Sequence, residues 1–107
     1  MKLSEKTNES PIKRLYKTLT KENLWLYVLS LLSKKEAHGY TIAEDISKKF
    51  GWEPGFITPY IVLYRLESEG YIKSKNVGRR VNYKITKKGM DTLSKAKRIL
   101  KAISEEL

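Results

Sequence analysis

The sequence predicts a mainly helical α+β domain in which a short hairpin follows several helices and a last helix ends the chain. Two observations support this fold class. Apolar residues recur every three or four positions over most of the chain, and they alternate with polar residues only between positions 71 and 86. With 107 residues and 40% hydrophobic content, the chain is expected to form one small domain with a modest core.

The first predicted helix spans residues 10–19 and follows residues 1–9, which are polar and are expected to be disordered or frayed. Ser10 and Pro11 suit the start of a helix. We expect its apolar face to dock onto its own domain or onto a second copy of the chain, with insertion into a membrane surface as the alternative. That face is formed by Ile12, Leu15, Tyr16 and Leu19.

Two further helices are predicted before residue 51. Thr20 is the expected N-cap of the second helix, which runs to about residue 34. Thr41 and Glu44 have the spacing of a capping box and predict the start of a third helix, which ends near Phe50. Residues 37–40 are expected to separate these helices as a break, and residues 51–56 form a turn. The predicted inward faces comprise Leu24, Val28, Leu31 and Leu32 in the second helix and Ile42, Ala43, Ile46 and Phe50 in the third.

The fourth predicted helix has Thr58 as its N-cap, Pro59 at its first position and Gly70 as its stop. Val62, Leu63 and Leu66 recur at helical spacing and are expected to face the core. The opposite face and its flank then present Tyr60, Ile61, Tyr64, Arg65 and Ser68.

The alternating stretch predicts two strands, residues 71–75 and 81–85, joined by a turn at residues 76–78. Residues 71–89 contain seven lysines and arginines and no acidic residue, within a chain of formal net charge +10. Such a bias favours a polyanionic partner, nucleic acid first and an anionic membrane surface second. The alternative is an edge hairpin whose lysines only prevent aggregation.

Helix, turn, helix and basic hairpin together predict a winged helix-turn-helix over residues 20–89. In this fold the fourth helix enters the major groove of DNA and the hairpin, or wing, contacts the backbone. We therefore expect double-stranded DNA to be bound by Tyr60, Ile61, Tyr64, Arg65, Ser68, Lys75, Arg79, Arg80 and Lys84.

The last segment, residues 90–107, predicts a dimerisation helix. Its apolar residues are spaced 3, 4, 3 and 4, as in a coiled-coil seam, although packing on its own domain is the alternative. Two heptads are short, so the first helix is expected to extend the homodimer interface. The predicted interface comprises Leu93, Ala96, Leu100, Ile103 and Leu107 together with Ile12, Leu15 and Leu19.

The inventory of reactive residues argues against an enzyme, a metal site or a cofactor. The chain contains no cysteine, and its one histidine, His38, lies where capping or packing is the expected role. The longest apolar run, residues 24–32, is shorter than the roughly 20 residues that span a bilayer. With no apolar signal core at the N-terminus, we expect a cytoplasmic protein.

Three blocks resemble the PadR family of transcriptional regulators: His38-Gly39-Tyr40, YIVLYRLESEG at residues 60–70 and NYKITKKG at residues 82–89. The resemblance implies a homodimeric winged helix-turn-helix repressor of the short subfamily, with the C-terminal helix as dimer arm. Ile57, Pro59 and the added N-terminal helix depart from the family pattern.

The expected function is sequence-specific binding of an inverted-repeat operator by a homodimeric repressor. One alternative is a winged helix that binds RNA or another protein. Another is a repressor gated by a small molecule, because some family members hold flat aromatic ligands through an aromatic residue of the C-terminal helix. Residues 87–107 contain no Phe, Tyr or Trp, so the effector is left unassigned.

Overall fold

The computed structural model describes residues 8–107, so most of the stretch predicted to be frayed lies outside the described residues. Within residues 8–107, five helices and three short strands follow one another, with 3-10 turns at Lys21–Asn23 and Gly39–Thr41. This order confirms the predicted mainly helical class. The elements are α1 (Ser10–Leu19), α2 (Leu24–Lys34), β1 (Ala37–His38), α3 (Ile42–Phe50), α4 (Thr58–Ser68), β2 (Ile72–Val77), β3 (Arg80–Ile85) and α5 (Lys87–Glu106).

The three strands form one antiparallel sheet in the order β1-β3-β2. β1 was not predicted, because a strand of two residues has no alternation to reveal it. It forms by pairing with β3, with Ala37 opposite Tyr83 and His38 opposite Asn82. The segment expected to be a simple break between helices therefore anchors one edge of the sheet.

The hairpin turn begins two residues later and ends one residue later than predicted. Val77 pairs with Arg80, so the connection is Gly78-Arg79 and not residues 76–78. Gly78 has φ 64°, which suits the first position of a two-residue turn whose twist matches that of the strands. The longer strands bring Arg79 to the tip of the wing.

Two predicted N-caps, Thr58 and Thr20, are wrong, and Thr41 is the N-cap of α3 as predicted but makes no side-chain cap bond. Ile57 is the N-cap of α4, and Thr58 is its first helical residue. The Thr41 hydroxyl donates to the carbonyl oxygen of His38 at 3.0 Å, because the 3-10 turn before α3 aims it backward, so the capping box does not form. The Thr20 hydroxyl likewise donates to Tyr16 at 2.7 Å and closes α1.

The core surrounds α2, and its buried side chains come from helices α2 to α5, from strand β2 and from the turn before α4. Trp52, in the turn between α3 and α4, is buried and packs edge-on against Tyr27, with ring centroids 4.9 Å apart. Tyr27 donates from its hydroxyl to the carbonyl of Leu19 at 2.8 Å and so ties the end of α1 to α2. The buried hydrophobic residues are Leu24, Tyr27, Val28, Leu29, Leu32, Ile42, Ile46, Trp52, Leu63, Leu66, Ile72 and Leu93.

Helix α5 begins three residues before the predicted boundary at residue 90, because the Thr86 side chain accepts a hydrogen bond from the Gly89 amide at 3.1 Å. Its first half packs on the core, where Leu93 is only 4% exposed. The prediction that Leu93 belongs to a dimer seam is therefore corrected: this leucine is a core residue. From residue 97 onward every side chain of α5 is exposed. Within residues 8–107, no helix is long and apolar enough to cross a membrane.

Candidate nucleic-acid interface

Helix α4 has the two faces that its periodicity predicted. Leu63 and Leu66 are buried and Val62 is half-buried, whereas Tyr64 is 75% exposed. The helix ends as expected at Gly70, which has φ 84°. The Gly70 amide donates to Glu67 and the Tyr71 amide to Leu66, a Schellman pattern that satisfies the last carbonyls. The exposed side chains of α4 include the five predicted to meet DNA: Tyr60, Ile61, Tyr64, Arg65 and Ser68.

Arg65 lies on the side of α4 that faces away from the wing. It lines a groove of about 380 Å³ together with Lys21, Glu22, Trp25 and Glu69, among others. Glu69 lies four residues after Arg65 on the same helix side, but among residues 8–107 the Arg65 guanidinium forms no ion pair. It therefore keeps its hydrogen-bond donors free for a ligand.

The opposite side of α4 is tied to the wing by Glu67. Its carboxylate accepts hydrogen bonds from the Ser74 amide at 2.9 Å and from the Ser74 hydroxyl. Glu67 thereby fixes the wing relative to α4. Burial is the main cause that raises the pKa of Tyr83 in β3, and the charge of the Glu67 carboxylate raises it further. This tyrosine is therefore neutral.

The pairing register places four cations on the outer face of the wing. Lys73 lies directly opposite Lys84, and Lys75 lies two positions further along β2 on the same face. Arg80, at the start of β3, shares this face. Like charges directly opposite each other destabilise a strand pair, so an anion bound here would offset that repulsion.

Not all of the seven basic residues of the segment 71–89 are free. Lys87 pairs with Asp91 at 3.1 Å. Lys88 donates to the carbonyl of Glu69 at 2.6 Å and lies 4.4 Å from the centre of the Tyr71 ring. In the part of the chain that the structure describes, the other five form no ion pair; they are Lys73, Lys75, Arg79, Arg80 and Lys84.

His38 and Tyr40 form a small aromatic cluster beside the wing. Their rings are nearly parallel, at 8°, with centroids 5.8 Å apart. The guanidinium carbon of Arg80 lies 5.3 Å from the centre of the Tyr40 ring. No group of three or more potential metal ligands occurs among residues 8–107.

Apolar side chains of α1 and α5 remain uncovered in the single chain. Ile12, Leu15 and Leu19 are exposed on α1, as are Leu100, Ile103 and Leu107 on α5. An apolar groove of about 280 Å³ lies where the end of α1 meets α2 and α5. Its lining includes Leu19, Trp25, Leu26, Ala96, Ile99 and Leu100. The expected docking of α1 onto its own domain is thus limited to Tyr16, which is half-buried.

Comparisons with known proteins find a family and several similar structures. Residues 28–95 match the model of the family described as "Transcriptional regulator PadR-like family". A transcriptional regulator from Clostridium thermocellum superposes with a TM-score of 0.73 at 26% identity, covering 92% of this chain and 93% of that one. A PadR family regulator from Clostridium difficile R20291 gives 0.68 at 29% identity, with 77% and 91% covered.

A third similar structure is Bacillus subtilis PadR in complex with operator DNA. It has a TM-score of 0.60 and 25% identity over 71% of this chain, and the match covers 47% of that longer chain. No curated protein matches the sequence.

Proposed function

The chain belongs to the transcriptional regulator PadR-like family, and from this premise we propose that it is a homodimeric repressor of an inverted-repeat operator in double-stranded DNA. Members of this family are transcriptional regulators, so the chain is not an enzyme. The Bacillus subtilis relative was solved with its operator, which supports duplex DNA as the ligand.

The observation that carries the proposal is the position of five unpaired cations on a wing that is fixed beside the exposed face of α4. DNA offers phosphates at the spacing of a few ångströms on both sides of its major groove, and lysine and arginine neutralise them by displacing counterions. In this arrangement α4 enters the major groove, and Lys75, Arg79, Arg80 and Lys84 contact the sugar-phosphate backbone or the adjacent minor groove.

Sequence reading is assigned to the exposed face of α4. The free guanidinium of Arg65 suits a bidentate contact with O6 and N7 of guanine, which is worth about 1–3 kcal/mol of discrimination. Ile61 suits an apolar contact with the methyl group of thymine. Tyr60, Tyr64 and Ser68 flank these two side chains and contact bases or phosphates.

The dimer is assigned to the uncovered apolar surface of α1 and α5. Its residues are Ala96, Leu100, Ile103 and Leu107 of α5 with Ile12, Leu15 and Leu19 of α1. A two-fold dimer presents two copies of α4 about 34–36 Å apart, or a multiple of that distance. The operator is therefore an inverted repeat whose half-sites are separated by whole helical turns.

The proposal is tested by selecting bound fragments from genomic DNA and then measuring affinity for the recovered site and for random duplex. We expect an inverted repeat to be enriched and bound far more tightly than random duplex. Recovery of no common sequence, or tighter binding of RNA than of duplex DNA, would overturn the proposal.

Arg65→Ala sharpens the test, with Arg98→Ala as a control that removes the same charge from the exposed surface of α5. Loss of affinity confined to one base position in the recovered site assigns base reading to Arg65. An equal loss on both duplexes makes it a phosphate contact. The control is expected to change neither affinity by more than about twofold.

A further inference from the structure

Tyr40 stands between the two parts of the proposed DNA interface. On one side its ring lies under the guanidinium of Arg80 on the wing, at 5.3 Å. On the other side it lines a groove with Phe56, Pro59 and Tyr60, where α4 begins. Tyr40 is nevertheless 54% exposed, so the core does not account for an aromatic ring at this position.

The backbone holds this ring in a fixed place. β1 pairs with β3 through His38 and Asn82, and Tyr40 follows immediately in the 3-10 turn that leads into α3. The imidazole of His38 lies nearly parallel to the Tyr40 ring, with centroids 5.8 Å apart. Because β3 begins at Arg80, the same sheet that orders Tyr40 also brings the arginine to it.

Arg80 and Arg79 differ in this respect, although they are neighbours in sequence. Arg79 occupies the hairpin turn, and no ring contact orders its guanidinium within the described residues. An arginine loses rotamer freedom when it clamps a phosphate, and this loss opposes binding. The contact with Tyr40 has already restricted Arg80 before DNA arrives, so less freedom remains to be lost.

Resting on the proposed function, we propose that Tyr40 is a positioning residue of the DNA interface: it holds the Arg80 guanidinium against its ring face and aims it at a backbone phosphate. The flat guanidinium can lie on an aromatic face and keep edge donors for the phosphate oxygens. Tyr40 thereby links the wing to the start of the helix that enters the major groove.

A double-mutant cycle on duplex binding tests the role. Tyr40→Leu removes the ring from an exposed site, and Arg80→Ala removes the guanidinium. When Arg80 is present, we expect Tyr40→Leu to weaken binding about two- to fivefold for each Tyr40–Arg80 contact, the fold-change of an exposed cation–π contact. For the proposed dimer this gives a loss of about four- to 25-fold. In the Arg80→Ala background the same substitution should have no effect, because nothing is left to position.

Two matched controls isolate the mechanism. In the Arg79→Ala background, Tyr40→Leu should weaken binding by the same factor as in the wild type, since Arg79 does not touch the ring. Tyr40→Phe should bind like the wild type, because it keeps the ring face and loses only the hydroxyl. Thermal unfolding of each variant, measured alongside, establishes that the folded protein is being compared.

The outcomes separate the inference from the proposed function. Additive effects of Tyr40→Leu and Arg80→Ala in a protein that binds duplex DNA overturn the positioning role and leave the repressor proposal standing. A loss with Tyr40→Phe equal to that with Tyr40→Leu makes the hydroxyl a direct DNA contact and also overturns it. A wild-type chain that binds no duplex overturns both.

Discussion

Replacing Arg79 and Arg80 by alanine tests the wing most directly, because it removes two of the five unpaired cations from each protomer. In the proposed dimer four phosphate contacts disappear. Each contact contributes about 0.9 to the slope of log affinity against log salt concentration, so the slope should become shallower by about 3.6. Over a fourfold rise in salt, from 50 to 200 mM, the wild type should then lose about a hundredfold more affinity than the variant.

Fluorescence anisotropy of labelled duplexes at several salt concentrations measures both slopes. The change should be the same on operator and on random duplex, because phosphate contacts do not depend on sequence. Lys87→Ala with Lys101→Ala is the matched control: it lowers the charge by the same amount but removes lysines that pair with Asp91 and Glu105 on α5. A slope unchanged by the wing substitution, or lowered equally by the control, would refute the assignment of the wing to the interface.

Three further predictions concern assembly and stability. Leu100→Glu or Ile103→Glu should convert the proposed dimer into a monomer, as measured by sedimentation equilibrium. Arg98→Glu, on the opposite face of α5, should leave it a dimer. A dimer that survives the seam substitutions assigns those residues to another role. Gly89→Ala should destabilise the fold by about 1–3 kcal/mol or more in urea unfolding, because a Cβ there would lie 2.2 Å from the Tyr71 carbonyl oxygen. In the Gly55→Ala control the added Cβ meets open space. That variant should incur only the cost of a left-handed backbone, about 1–2 kcal/mol. Burial raises the pKa of Tyr27 above its ordinary value of 10.0, so the contribution of this tyrosine to stability should be constant below that pH and fall above it as the unfolded chain ionises. Tyr27→Phe should cost about 1 kcal/mol near neutrality and reduce the alkaline fall. An unchanged alkaline profile would contradict this reasoning.

Helix faces could be predicted from the sequence because burial repeats with the period of the helix. In α4, Leu63 and Leu66 are buried and Tyr64 is exposed, as their spacing requires. The stop at Gly70 was equally local, since it depends on the left-handed conformation of one glycine. Such features follow from neighbours within one or two turns of the chain.

Features that depend on distant partners could not be predicted in this way. β1 exists only because β3 lies beside it: Ala37 pairs with Tyr83, 46 residues away in sequence, and His38 pairs with Asn82, 44 residues away. Trp52 was assigned to a turn, and its burial depends on the ring of Tyr27 from α2. Turn residues with no periodicity give no sign of which side chain will enter the core.

The candidate interface shows the same division. Composition alone identified the basic segment 71–89, but only the contacts distinguish Lys87 and Lys88, which bind partners in their own domain, from the five unpaired cations. The faces of α4 were predicted, whereas the link between Glu67 and Ser74 was not. A helix wheel gives the side on which a residue lies, and it carries no information on which strand will pack there.

The contacts at the end of α4 connect DNA reading to dimer geometry. The Thr86 hydroxyl donates to the carbonyl of Gly70 at 2.7 Å, and Lys88 donates to the carbonyl of Glu69, so the first turn of α5 is joined to the last turn of α4. Gly89 allows this close approach, since any larger residue would meet the Tyr71 backbone. In the proposed dimer the far half of α5 forms the seam, and the rigid junction transmits its crossing angle to α4. If that dimer forms as proposed, we expect the separation of the two recognition helices, and with it the half-site spacing, to depend on how two copies of α5 pack and not on any residue that touches DNA.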